Sequence, residues 1–158
     1  MKAISLLQPW ASLVAIGAKG FETRSWSTNY RGPLAIHASK GFPGWARDLF
    51  HTLPFSRVLA EAGYLLEDDL PCGAVIAVVR LVDCYPITMR NGVGLLCPPQ
   101  GERREVSEQE TAFGDWSPGR FAWRLADVRP LREPIPARGA LGLWEWKAPE
   151  NLEELFAS

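Results

Sequence analysis

Apolar and polar positions change period several times along the chain, and each change predicts an element. Lys2–Leu7 reads as a short strand with imperfect alternation. From Gln8 the period turns helical. Pro9 suits the first helical position, where its missing N–H costs nothing, and Trp10, Leu13, Val14 and Gly17 follow at helical spacing. Gly17 and Gly20 are natural terminators. Phe21–Trp26 predicts a strand with Phe21, Thr23 and Ser25 on one face and Glu22, Arg24 and Trp26 on the other. A turn at Asn29–Gly32 leads to a strand over Pro33–Ser39, with Ile36 and Ala38 inward and His37 and Ser39 opposite. Helical segments follow at Gly44–Leu53, with Trp45, Leu49 and Phe50 on the apolar side, and at Pro54–Gly63, before an acidic turn at Glu67–Gly73.

Gly73–Ile87 is an almost continuous β-branched run, the pattern of a strand buried on both faces. Residues 88–118 are less patterned: Cys97–Val106 reads as a loop, Ser107–Gly114 as a short helix opening at Ser107, and Asp115–Gly119 as a turn. Arg120–Leu131 alternates, with Phe121, Trp123 and Leu125 opposite Arg120, Ala122 and Arg124. A Pro/Gly-rich turn, a last strand carrying Leu143, Trp144 and Trp146, and a short helix over Ala148–Phe156 close the chain. Strands outnumber helices and do not alternate with them, which argues against a doubly wound sheet. The expectation is one α+β domain over residues 1–158, a small mixed or antiparallel β-barrel surrounded by helices.

Composition narrows the class. The 158 residues are 47% hydrophobic and 22% charged, with no apolar run near the roughly 20 residues that span a bilayer. The N-terminus lacks a signal-peptide pattern, so the expected compartment is the cytoplasm, with no membrane association. Cys72, Cys84 and Cys97 form neither an even set nor a CxxC pair, and His37 and His51 lie far from them. No metal is expected. No GxGxxG, Walker, GxSxG or HExxH motif occurs, and no cofactor is expected.

Net charge is −1, but its distribution is uneven. Residues 1–60 hold seven Lys/Arg against Glu22 and Asp48, a balance of +5, while residues 61–158 balance at −6. Such asymmetry suggests a basic face for an anionic partner and an acidic surface elsewhere.

Candidate chemistry gathers in the basic part. Lys19 stands in a glycine-flanked turn, where backbone can approach a ligand. Glu22 and Arg24, two apart on a strand, form a brace whose guanidinium end suits phosphate or carboxylate. A lysine made less basic by burial could act as base or nucleophile, and a solvated one would hold phosphate. Residue types alone leave a salt-bridged turn and a functional site both open. Arg31, His37, Ser39 and Lys40 follow closely. Trp10 and Trp26 flank the charges, as suits base stacking beside phosphate contacts.

Together these pieces resemble the ASCH domain family, named for homology to a transcription coactivator and related to the PUA superfamily. Its GxKxxExR signature stands complete as Gly17, Lys19, Glu22 and Arg24. The flanking "SLLQPWASLVAIGAKGFETRSW", "YRGPLAIHASK" and "GALGLWEW" are also similar to the family. The resemblance implies a PUA-like barrel, a cleft beside the first helix, and dealings with RNA or a modified nucleoside. It further implies that some members bind within coactivator complexes, that a small bacterial type is an amidohydrolase of N4-acetylcytidine, and that others carry ribonuclease activity. The amidohydrolase type uses a Lys/Thr/Glu arrangement. Lys19 matches its lysine, Glu22 occupies its threonine position, Thr23 lies one further on, and its glutamate has no assigned position here.

Three expectations follow. In the leading one the chain binds RNA or a nucleotide, with Lys19, Arg24, Arg31 and Lys40 on phosphate, Ser39 beside them, Trp10 and Trp26 stacking, and Glu22 orienting Arg24 or reading a base edge. The second is hydrolysis of a modified nucleoside or RNA, with Lys19 reacting and Glu22 or His37 assisting. The third is a protein-interaction module using the acidic later region.

Overall fold

The order along the chain is β1 (Lys2–Leu6), α1 (Trp10–Ala15), β2 (Phe21–Arg24), β3 (Gly32–Ala38), α2 (Gly44–Leu49), α3 (Phe55–Glu61), β4 (Ala74–Arg90), β5 (Val93–Leu96), β6 (Arg104–Glu105), α4 (Glu108–Ala112), β7 (Phe121–Pro136) and β8 (Leu143–Glu145). Single 3₁₀ turns lie at Glu67–Asp69 and Leu152–Leu155, the latter where a short helix was expected. The structure is a computed structural model describing residues 1–90, 93–97 and 103–158. Half of the loop expected over Cys97–Val106, residues 98–102, lies outside the described residues, and its end carries β6.

The strands make one sheet in the order β2-β7-β4-β3-β1-β8, with β5 added to β4 and β6 to β5. The α+β class holds, and the expected barrel does not. Closure needs hydrogen bonding all the way round. Here β2 and β8 end the path without pairing to each other, so the sheet is open. No helix among the described residues is long and apolar enough to cross a membrane.

By their contacts the residues form two units. The first comprises Met1–Ala18, Pro33–Arg80 and Asp127–Ser158. Within it β1 pairs parallel with β3, placing Ser5 opposite His37, and antiparallel with β8, placing Ala3 opposite Trp144. Ala3, Ala35, Val75, Val78, Leu131, Trp146 and Leu152 make a shared core. Five consecutive β3 residues, Leu34–Ala38, are buried. The strand is covered on both faces, so His37 is buried where alternation had placed it opposite the inward residues.

Helix α1 starts one residue after Pro9. The Gln8 side chain, itself buried, accepts from Ser12 N–H at 3.0 Å and donates to the Pro71 carbonyl at 2.7 Å. The helix ends in a Schellman motif: Gly17 N–H bonds the Val14 carbonyl and Ala18 N–H the Leu13 carbonyl. Gly17 has φ +78° with open space around a would-be Cβ, so backbone conformation rather than crowding requires glycine there. In α2 the expected apolar side is corrected. Ala46 and Phe50 are buried, Leu49 is half-buried, and Trp45 is 60% exposed.

The second unit comprises Lys19–Gly32 and Leu81–Ala126. Strand β2 pairs antiparallel with the start of β7, Glu22 opposite Trp123 and Thr23 opposite Ala122. Ile87, Leu96, Trp116 and Ala122 form its core with Phe21, Tyr85 and Val106 packed on them. Helix α4 opens where expected, with Glu110 N–H donating to Ser107 Oγ at 3.2 Å.

Candidate functional site

Two groups of chemistry-bearing residues emerge, one in each unit. In the second unit the turn before β2 folds Lys19 inward until its side chain is 1% exposed. Its ammonium donates to the Phe113 carbonyl at 2.9 Å, in the residue that ends α4, and stands 4.0 Å from Glu22 Oε1. Glu22 Oε2 accepts from Arg24 at 3.2 Å, so the predicted same-face pair forms. Glu110, on α4, accepts from Gly20 N–H at 2.5 Å through Oε1, and its Oε2 is buried without a hydrogen bond of ordinary geometry.

Burial pushes the Lys19 ammonium below its ordinary value, opposed by the nearby Glu22 and Glu110 carboxylates. Burial likewise pushes the Glu110 carboxyl up, opposed by the Gly20 amide and by Lys19. Both displacements favour the uncharged forms, which describes an inward-facing brace between β2 and α4. Other candidates of this unit also make internal contacts. Trp26 meets Trp123 edge-on, with centroids 4.7 Å apart, and its carbonyl accepts the Trp123 indole N–H. Arg31 donates to the Thr28 and Tyr30 carbonyls and lies 3.7 Å from Asp83.

In the first unit His37, Ser39 and Lys40 line one groove of about 1040 Å³, together with Ser5, Gly73 and the 136–141 segment that carries Arg138. Among the described residues no carboxylate lines it. Lys40 and Arg138 are exposed, as is Leu141 at the rim, while His37 on the floor is 2% exposed. Trp10 does not line this groove. It packs against Trp45 at 5.8 Å and edge-on against Phe55.

The family model of the ASCH domain matches residues 4–134, most of the chain and both groups of residues except Arg138 and its neighbours. The chain belongs to the ASCH domain family. ASCH is a PUA-like domain, and the mixed α+β sheet described above is its form here. Activating signal cointegrator 1 of Mus musculus and that of Homo sapiens are each 36% identical to it over 142 residues. Those residues are 90% of this chain and 22% of each relative, so the chain spans about a fifth of the length of the curated relatives it matches.

On this ASCH domain every signature position has a structural cause: Gly17 a left-handed φ, Lys19 a buried carbonyl to satisfy, Glu22 and Arg24 each other. Ser5, Arg138 and Glu110 escaped sequence reasoning. Arg138 carried a usable signal, a cation in a Pro/Gly-rich turn, the same signal that marked Lys19. Ser5 and Glu110 carried none, because strand register and helix placement bring them to their partners.

Proposed function

We propose that this ASCH domain binds RNA or a related nucleotide, with Lys40 and Arg138 contacting phosphate in the groove of the first unit and Ser39 donating beside them. Family membership points to association with nucleic acid at the family level. The observation that carries the reading further is a groove lined by two cations and, among the described residues, by no carboxylate, a field suited to phosphate. Lys19 is assigned no phosphate contact, because its ammonium already serves the Phe113 carbonyl and is shut from solvent. Arg24 and Arg31 remain secondary contacts of the second unit.

Fluorescence anisotropy with short RNA, single-stranded DNA and duplex DNA tests this. Affinity should fall with salt between about 50 and about 200 mM, and each of Lys40→Ala and Arg138→Ala should lower the salt slope on a single strand by about 0.7. Salt-insensitive or absent binding to all three nucleic acids rejects the reading.

A second reading is hydrolysis of an acylated nucleoside or RNA with Lys19 as the reacting group. It is favoured by Glu110, a carboxylate from a later segment whose charge is felt at Lys19. Incubation with acylated cytidine and with labelled RNA decides it: product from wild type and none from Lys19→Ala supports the reading, equal product removes it.

A further inference from the structure

The sheet sets three polar side chains together on the groove side of the first unit. Parallel pairing makes Ser5 and His37 direct neighbours. Strand β8 places Trp144 opposite Ala3, two residues from Ser5 and therefore on the same face and diagonal to it. Ser5 Oγ lies 3.0 Å from His37 Nδ1, His37 Nε2 2.8 Å from the Ala137 carbonyl, and Trp144 Nε1 3.1 Å from Ser5 Oγ.

Donor and acceptor chemistry gives each bond a direction. A carbonyl only accepts, so His37 Nε2 carries hydrogen. In the neutral ring Nδ1 is then the lone-pair nitrogen. An indole N–H only donates, so Trp144 donates to the Ser5 oxygen, and the Ser5 hydroxyl hydrogen points to Nδ1. The Trp144 ring also stands edge-on to the imidazole, centroids 5.5 Å apart at 85°, and holds its plane. Over the pair passes the backbone of Gly139: a Cβ there would lie 2.6 Å from both Ser5 Oγ and His37 Cε1.

A hydroxyl bonded to a base, with the base held from behind by a third group, is the arrangement of an activated nucleophile. We propose that Ser5 is a nucleophile with His37 as its general base, and that the groove hydrolyses an acyl ester whose alcohol part carries phosphate. Ser5 Oγ forms a bond to the acyl carbon while its proton passes to His37 Nδ1. The carbonyl electron pair moves onto oxygen and returns as the bond to the alcohol breaks, and the alcohol takes the proton from His37. Water then attacks the acyl-serine, gives its proton to His37, and releases the acid as Ser5 recovers its hydrogen. Trp144 N–H stabilises negative charge on Ser5 Oγ, and the Ala137 carbonyl accepts from the imidazolium. Lys40 and Arg138 supply the preference for phosphate, and the groove is large enough for a nucleotide-sized molecule.

The test needs no nucleic acid, so the failure of RNA binding and the failure of this proposal are separate results. The whole chain is treated with a fluorophosphonate, followed by intact mass and peptide mapping. One adduct at Ser5 is expected, absent from Ser5→Ala and formed about a hundredfold more slowly in His37→Gln. Acetate release from 1-acetylglycerol 3-phosphate should exceed that from 1-acetylglycerol. An unlabelled wild type, a label mapping elsewhere, or an unchanged rate in His37→Gln overturns the nucleophile. Equal hydrolysis of the two esters overturns the phosphate preference. Mapping on wild type decides the first point even if a variant fails to fold.

Discussion

Replacing Lys19 by Met keeps the length of the side chain and removes the charge, which isolates the brace of the second unit. Lys19 is 1% exposed, donates at 2.9 Å to the Phe113 carbonyl and stands 4.0 Å from Glu22. A hydrogen bond to a charged group contributes about 1.5–3 kcal/mol net. The gross attraction to Glu22 at that separation is about 4 kcal/mol at an effective dielectric near 20, and the cost of desolvating the ammonium, several kcal/mol, largely offsets it. Methionine restores neither partner: the Phe113 carbonyl loses the ammonium, Glu22 keeps only Arg24, and the buried Glu110 loses its nearby cation. Removing one member of a buried pair costs about 3–5 kcal/mol. At this chain length 1 kcal/mol corresponds to about 2–4 °C, so Tm should fall by about 6–20 °C in thermal melts followed by circular dichroism. The double variant Lys19→Met/Glu110→Gln should recover part of the loss, because one stranded carboxylate is gone. A single variant melting within about 2 °C of wild type, at unchanged denaturant m-value, refutes the reasoning.

The pH dependence of stability should carry the same signature. Glu110 is held above the ordinary 4.5, chiefly by burial, so the folded chain keeps its proton longer than the unfolded chain. Stability contributed there falls as pH rises from the ordinary value through the raised one, and Glu110→Gln should flatten that stretch of a Tm-against-pH curve; an unaltered slope would rule the assignment out. Lys19 is held below the ordinary 10.5, again chiefly by burial, so its contribution runs the other way and stability rises as pH climbs towards that value, an effect that Lys19→Met should abolish. Gly17→Ala places an L side chain at φ +78° and should cost about 1–2 kcal/mol in urea unfolding, with the shape of the far-UV spectrum kept.

Local features were the legible ones. The glycine stop of α1, the Ser107 cap of α4, and the shared face of Glu22 and Arg24 each follow from residues within a few positions. What stayed hidden depends on distant pairing. The Phe113 carbonyl that receives Lys19 is 94 residues away, and the His37 that receives Ser5 is 32 away in a neighbouring strand. Whether a set of strands closes into a barrel depends on its two outermost members, and nothing in the alternation of β2 or β8 states whether they meet. Alternation also misleads where a strand is covered on both faces, as at His37, and a helical apolar face misleads where the helix is as short as α2, which leaves Trp45 outside.

Gly139 has a diagnostic use. Its φ is not among the left-handed ones, so only the proximity of Ser5 and His37 forbids a side chain there. Any chain of this fold with a larger residue at that position must have moved either the 137–141 backbone or the serine and imidazole beneath it, whatever its GxKxxExR signature says. One position in the 137–141 segment therefore marks, from sequence alone, the chains in which the backbone can lie this close over the hydroxyl–imidazole pair.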